Sequence, residues 1–454
     1  MKSVLFVTYY YPPDAAVGGK RIARFCKYLP EFGIRPTVLT VDLDTCASLD
    51  YSFGADDPTE VYRVAPHLTP LGWYARKSFL SKRNSKEERV SNSPVQGEQS
   101  SWRGVRFGAL GRNIVGCLSI PDLRWGWYLP ATRAGVKIVK EERIDAVVSS
   151  GPPWTTHAIG HAIAKRCGVP WVADYRDGWN WDSWSHSSVW PSWRKSLDQW
   201  LEKRWLRDVS LAICTSKRSN KMLLEMHDHV APDRVVTITN GFDGLIEPSS
   251  LSGSERRPRI LLHMGGLYGN RKIDSFCAAV KLLIDSGKLS SDSLRVEFVG
   301  EVGGTIKEAA ISTCPTLFND GVLRFLPPVP WHEAQRRMAD AQALLIFQGD
   351  HSNAIPAKFY EYLLTGKPIL SVVQDGALKD ICLETNCGVV VDPASEPAVM
   401  ARAIEEVLNQ TQRSAEKIAQ VAAPYHFKNL TSQLAEALHR IHGAGSPCAS
   451  QNLR

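Results

Sequence analysis

Lys358 and Glu361 stand three residues apart in a segment that reads as a short helix, so a cation and a carboxylate share one of its faces. The segment, Asn-Ala-Ile-Pro-Ala-Lys-Phe-Tyr-Glu-Tyr-Leu-Leu-Thr-Gly-Lys-Pro (353–368), has clear ends. Pro356 suits a first helical position, where its missing N–H costs nothing, and Gly366 followed by Pro368 suits a C-terminal stop. The apolar run Ala-Leu-Leu-Ile-Phe (343–347) upstream reads as a buried strand. The helix would then start beyond the carboxyl end of a sheet strand, where free N–H groups and the macrodipole favour an anion. Lys358 suits a diphosphate there, and Glu361 suits ribose hydroxyls. The plainer alternative is a surface i,i+3 pair worth a few tenths of a kcal/mol, so the surroundings decide.

Those surroundings are repetitive. In the first half, short Val/Ile-rich runs at 3–8, 36–41, 145–149, 169–173, 210–214 and 234–238 alternate with helical patterns such as Arg21–Leu29 and Thr155–Cys167. Such alternation predicts parallel strands in a doubly wound α/β domain. The second half repeats it, with strands near 259–264, 294–299, 322–326, 343–347, 368–373 and 388–391. Between them, residues 245–258 are rich in Ser, Pro and Gly and read as a linker. The expected architecture is α/β, two Rossmann-like domains facing a cleft, the first spanning 1–244 and the second 259–420.

Neither half carries the Gly-x-Gly-x-x-Gly dinucleotide fingerprint. The first strand leads into Tyr-Tyr-Tyr-Pro-Pro-Asp-Ala-Ala-Val-Gly-Gly-Lys (9–20), with Asp14, Gly18 and Gly19. The first strand of the second half leads into Gly-Gly-Leu-Tyr-Gly-Asn-Arg-Lys (265–272), with Gly266, Arg271 and Lys272. Glycine in a strand-to-helix loop lets backbone N–H groups approach a ligand, though plain turn glycines have the same signature. His157 follows Gly-Pro-Pro-Trp at a helix start and suits either a site or a packing role. His157 and His161 are i,i+4 but lack a zincin Glu, which argues against a metal there. Asp42-Leu-Asp44 reads as a loop. Asp174 and Asp177 flank Arg176 at a strand's carboxyl end, where they could orient a hydroxyl or simply pair and cap.

A chain of 454 residues, 44% hydrophobic and 22% charged, has room for two or three ordinary globular domains. No apolar run approaches the roughly 20 residues of a membrane span, and the first residues are too short a run for a signal-peptide core, so a cytoplasmic protein is expected. Ten cysteines without a Cys-x2-Cys pair indicate neither a zinc ribbon nor a disulfide framework. The net charge of +7 is uneven: residues 76–106 carry eight Lys/Arg against three Glu in a segment poor in apolar residues. That segment reads as a solvated loop, which anionic lipid would attract. Charge confined to one loop, with no nucleic-acid module, argues against nucleic acid as a partner. Trp171, Trp179, Trp181, Trp184, Trp190, Trp193, Trp200 and Trp205 place eight of fourteen tryptophans among basic residues, a composition suited to the interface of a bilayer.

Taken in order, Tyr-Tyr-Tyr-Pro-Pro with Gly18-Gly19, Ser-Ser-Gly-Pro-Pro-Trp-Thr-Thr-His (149–157), Ala-Asp-Tyr-Arg-Asp (173–177), Asn240-Gly241-Phe242-Asp243, Gly265 to Lys272 and Ile355 to Pro368 resemble the GT-B fold glycosyltransferases of family 4. These are retaining enzymes that use nucleotide-diphosphate sugars, and the likeness is strongest to the bacterial branch that builds cell-surface polysaccharide on lipid carriers. The resemblance implies a donor site on the second domain, formed by Gly266, Arg271, Lys272, Asn353, Ile355, Pro356, Lys358 and Glu361 with Gly18 and Gly19 from the first. Glu361 matches the ribose-binding member of a Glu-x7-Glu pair, and Asn353 stands in the place of the other, an amide that can bond a sugar hydroxyl without charge.

It further implies that Arg271, with Lys272 or Lys358, takes the charge role of a metal, so that no metal or other cofactor is required. His157, Arg271 and Lys358 are the implied catalytic residues, and Asp14, Asp174 and Asp177 lie on the acceptor side. The leaving phosphate would take the acceptor proton. The C-terminal helix, about 425–440, would return to the first domain. A sugar-nucleotide epimerase of similar fold and a silent membrane-associated scaffold are the competing readings.

Overall fold

The Val/Ile-rich runs form strands in the computed structural model, which describes residues 2–51, 59–67, 117, 119–181, 191–244, 258–349 and 352–443. The basic segment 76–106 and all but the last residue of the linker 245–258 lie outside the described residues. The chain divides into two units, Met1–Thr239 with Phe427–Arg454, and Asn240–His426.

In the first unit, β1 (Lys2–Thr8), β2 (Ile34–Val41), β3 (Glu60–Val64), β4 (Ala146–Gly151), β5 (Trp171–Tyr175), β6 (Leu211–Cys214) and β7 (Val235–Thr237) form one parallel sheet. Their order is β3-β2-β1-β4-β5-β6-β7. Its helices are α1 (Val17–Tyr28), α2 (Tyr128–Glu141), α3 (Thr155–Cys167), α4 (Ser192–Leu206) and α5 (Lys217–Met226). β1 pairs with β2 through Val4↔Pro36 and with β4 through Val4↔Ala146, so the winding reverses between β1 and β4. The central strands are buried on both faces, which is why they read as unbroken apolar runs. β3 escapes such a reading because Glu-Val-Tyr-Arg-Val alternates and lies half-exposed at the sheet edge.

The second unit repeats the plan with β8 (Arg259–Met264), β9 (Leu294–Val299), β10 (Leu323–Leu326), β11 (Ala343–Phe347), β12 (Ile369–Val372) and β13 (Gly388–Val391), ordered β10-β9-β8-β11-β12-β13. Its helices are α6 (Asp274–Asp285), α7 (Gly304–Thr313), α8 (Pro315–Asn319), α9 (Trp331–Asp340), α10 (Ala357–Thr365), α11 (Ala377–Thr385), α12 (Pro397–Asn409) and α13 (Ala415–Ala422). The winding reverses between β8 and β11, and in doubly wound sheets ligands bind beyond the carboxyl ends of strands at such a reversal. The loops there carry residues 265–272 and, among the described residues, 348–349 and 352–356.

The last helix, α14 (Phe427–Gly443), belongs to the first unit. Leu430, Leu434 and Leu438, at i,i+4 spacing, enter a core with Ile22, Phe25 and Leu29 of the first unit. Phe427 meets Phe25 edge-on at 5.4 Å, and the Arg24 guanidinium lies over the Phe427 ring at 5.0 Å.

The tryptophan-rich segment is corrected by its packing. Trp171, Trp179, Trp181 and Trp205 are buried, so these four cannot reach a bilayer. Trp179 stacks between Trp154 at 5.4 Å and Trp205 at 5.3 Å, an aromatic column inside the first unit. Trp193 and Trp200 are exposed on α4, and Trp184 and Trp190 lie outside the described residues.

Candidate active site

α10 begins one residue later than expected: Pro356 is its N-cap, offering no side-chain acceptor, and Ala357 is the first helical residue. Its first N–H groups have no partner within the helix itself. Gly366 closes the helix in the left-handed conformation, as a C-terminal glycine does.

Two side chains of α10 tie it to the end of β8 through the backbone of a single residue, Met264. The Met264 N–H donates to the Tyr362 hydroxyl at 2.8 Å, and one turn earlier Lys358 Nζ donates to the Met264 carbonyl at 3.1 Å. Lys358 Nζ also lies 3.0 Å from Nε2 of the buried His263. Gly265 follows with φ of +97°, a conformation that favours glycine, and it sits beside the Lys358 ammonium. Arg271 returns over the same turn: its Nη1 donates to the Gly266 carbonyl at 3.1 Å and its guanidinium covers the Tyr268 ring at 4.1 Å.

The charge pattern is cationic and under tension. Burial, and next the Arg271 charge, lower the Lys358 pKa to about 7, with Glu361 acting in the opposite direction. Two cations therefore converge at a helix start, with a carboxylate one turn on, and an anion would relieve their repulsion. Ile355 and Asn353 are buried in the loop before α10, which Gln348 braces by donating to the Ala354 carbonyl at 2.8 Å. Lys272 is exposed. His263, Tyr362 and Gln348 were absent from the sequence-derived set. A histidine inside the apolar strand Arg-Ile-Leu-Leu-His-Met was the one visible signal, because a buried imidazole needs partners.

The first-unit candidates are held more by structure than by any open site. His157 is fully buried in the first turn of α3, its Nδ1 2.9 Å from Ser149 Oγ, which also accepts from Trp171 Nε1 at 2.9 Å. Its Nε2 faces Gly151 and has no hydrogen-bond partner among the described residues, and burial lowers its pKa to about 3. The ring packs near Trp154, Tyr175 and Trp171, surroundings that favour a neutral imidazole.

Asp174 is held by protein partners on both oxygens. Arg21 grips it with Nε and Nη2 at 3.0–3.2 Å, and Ser150 Oγ donates to it at 2.8 Å. Arg21 also donates to the carbonyls of Ile238 and Thr239, fastening α1 to the chain after β7. A carboxylate in the middle of the apolar run Trp-Val-Ala-Asp-Tyr was the signal that a buried cation must exist.

Asp177 is half-buried; burial raises its carboxyl pKa, and Arg176 opposes the rise. Asp14 accepts from the Ala16 N–H at 2.9 Å just ahead of α1, and burial raises its pKa too. A Cβ on Gly18 would strike the Arg176 guanidinium, and one on Gly19 would come within 2.9 Å of the Tyr10 carbonyl oxygen. These two glycines therefore seat α1 against the loop after β1. Asp42 and Asp44 fall at a 3₁₀ turn (Leu43–Thr45), and His161 Nε2 meets Asp208 at 2.8 Å.

Residues 18–241 match the model of a family described as the glycosyl transferase 4-like domain. The match covers most of the first unit and just under half of the chain. Solved structures agree over nearly the whole chain. A glycosyltransferase from Rickettsia africae superposes with a TM-score of 0.62 at 12% identity, covering 97% of this chain and 98% of its own. The Anabaena protein HepE, crystallised with UDP and glucose, gives 0.59 at 13%, covering 97% and 100%. WaaG, a glycosyltransferase involved in lipopolysaccharide biosynthesis, gives 0.54 at 14%, covering 95% and 98%. At such identities the likeness shows the fold, which is GT-B. A comparison with curated proteins finds no match. Beside the residues that match the glycosyl transferase 4-like model, the second unit supplies the other Rossmann-like half of that fold, and match and fold together support a glycosyltransferase.

Proposed function

We propose that this chain transfers a sugar from a nucleotide-diphosphate sugar to a hydroxyl acceptor, and that its second unit holds the donor. The observation that carries this reading is the convergence of Lys358 and Arg271 beside the start of α10, with Glu361 one turn on. Lys358, Arg271 and the helix N-terminus would neutralise the leaving diphosphate, and preorganised charge of this kind is usually the largest catalytic contribution. Glu361 would bind the ribose and Asn353 a sugar hydroxyl. The presence of UDP in HepE supports a nucleotide donor of this class.

Retention of anomeric configuration rests on the resemblance to family 4, with the leaving phosphate accepting the acceptor proton. Two protein cations at the diphosphate support catalysis without a divalent metal, for which full activity in EDTA is the check. A lipid-linked saccharide as acceptor is supported by the role of WaaG in lipopolysaccharide synthesis and by the exposed Trp and basic face of α4. No helix among the described residues is long and apolar enough to cross a membrane, so a cytoplasmic enzyme would meet such an acceptor by peripheral attachment.

Calorimetry with UDP, GDP, ADP and dTDP tests the donor site. Lys358→Ala, Arg271→Ala and Glu361→Ala should each weaken the preferred nucleotide by roughly 1–3 kcal/mol, as charged hydrogen bonds do. Unchanged affinity in folded Lys358→Ala and Glu361→Ala variants would rule the assignment out.

A further inference from the structure

At the reversal point of the second sheet, β8 and β11 pair only through Ala343↔Leu261 and Leu344↔Leu262 before they part. His263 fills the split. Its ring is fully buried, packed near Phe298 and Phe347, and its Nδ1 lies 2.9 Å from the Leu345 carbonyl. A carbonyl only accepts, so Nδ1 carries the proton and the neutral ring presents a lone pair at Nε2. That lone pair faces Lys358 Nζ at 3.0 Å, and the Met264 carbonyl takes a second N–H at 3.1 Å. An ammonium has three N–H groups, and fixing two of them fixes the direction of the third.

We propose that His263 is a positioning residue for the donor diphosphate: its Nε2 lone pair locks Lys358 so that the remaining N–H, beside Arg271, is aimed at phosphate. The inference rests on the donor-site reading above and adds to it a proton linkage. The groups facing Lys358 are the His263 ring from β8, Arg271 from the loop after β8, and Glu361 from α10 itself. Burial and the neighbouring Lys358 charge hold the His263 pKa well below that of an ordinary imidazole, so the ring remains an acceptor.

Lys358, at about 7, is partly neutral in the empty site near neutral pH. A bound diphosphate raises that pKa, so binding takes up a proton in the window from about pH 7 to the higher value of the complex. Across that window affinity falls as pH rises, by at most about tenfold per pH unit for one proton.

The test is calorimetry of the full chain at pH 7 to 9, in buffers of differing ionisation enthalpy, with the tightest binder among UDP, GDP, ADP and dTDP. Wild-type protein should take up a fraction of a proton that rises above pH 7 and is greatest midway between the Lys358 pKa values of the empty and occupied sites. His263→Leu should bind roughly tenfold more weakly, with its proton uptake displaced in pH, as expected when one charged hydrogen bond is lost. His263→Gln, which restores an acceptor near the place of Nε2, should recover most of the affinity, and it carries the test if the leucine variant does not fold. Wild-type affinity with unaltered proton uptake in His263→Leu overturns the proposal, as does a folded His263→Gln that binds no better than the leucine variant. If those outcomes occur while Lys358→Ala still weakens binding, the donor site stands without His263. A wild-type chain that binds none of the four nucleotides overturns both.

Discussion

Arg21 and Asp174 form a two-point ion pair inside the first unit, with Arg21 Nε 3.2 Å from both carboxylate oxygens and Nη2 3.0 Å from Oδ1. Both side chains are almost wholly shielded from solvent. Asp174→Ala would leave a buried guanidinium without its counter-charge, so it should destabilise the protein by about 3–5 kcal/mol. Urea unfolding measures this directly. A variant of unaltered stability that loses only acceptor turnover would instead place Asp174 in the acceptor site.

That pair also shows what the sequence could and could not disclose. Twelve of the strands follow from apolar runs, because parallel strands buried on both faces leave no polar alternation to obscure them. Lys358 and Glu361 were legible because local helix geometry alone places them together. The partners of Asp174 were not, since Arg21 lies 153 residues away and only the sheet order brings α1 to β5. The same holds for His263, which meets Lys358 across 95 residues. Composition misled at the tryptophans: density along the chain says nothing about which side of a helix faces the core.

His157 should make itself felt through stability. Its pKa in the folded protein is held at about 3 by burial, against an ordinary value of 6.5, so between these two the unfolded chain binds the extra proton. Stability therefore rises with pH through that window, by up to about 1.4 kcal/mol per pH unit from this group, and is lost on acidification. His157→Gln should flatten the slope of unfolding free energy between pH 4 and 6 relative to wild type. A slope identical in both proteins would show that His157 titrates normally, and hence that it is open to solvent.

Gly19 is predicted to tolerate no side chain. A Cβ there would lie 2.9 Å from the Tyr10 carbonyl oxygen and 3.0 Å from the Tyr11 nitrogen, both backbone atoms that cannot swing aside. Gly19→Ala must therefore push α1 off the loop after β1, at a cost of about 1–3 kcal/mol. Gly18→Ala meets side-chain atoms alone, the end of Arg176 and the edge of the Tyr10 ring, which can give way, so its loss of stability should be smaller. A thermal melt in which the alanine at 18 is the more damaging of the two would contradict this packing.

The α4 helix is built with its polarity reversed, which makes its outer face the test of membrane attachment. Arg194 and Asp198 pair at 2.8 Å on its buried side together with Glu202, whereas Trp193 and Trp200 are 40% and 55% exposed. Lys195, Lys203 and Arg204 are exposed along the same helix, and Arg204 reaches over the Trp200 ring. With its acidic groups turned inward, the helix presents cations and tryptophans together, a combination that anionic headgroups attract at about 1 kcal/mol per Lys or Arg over a short range. Replacing Trp193 and Trp200 together by Ser should lower partitioning to anionic vesicles at low salt while changing stability by no more than about 0.5 kcal/mol per site. Trp179→Ser should act the other way round, costing about 3–5 kcal/mol through loss of the aromatic column. Sedimentation with vesicles and thermal melts separate the two effects. Equal partitioning of wild-type protein to anionic and neutral vesicles, or none to either, would remove the membrane from the proposal and leave the transferase reading to stand on Lys358 and Arg271.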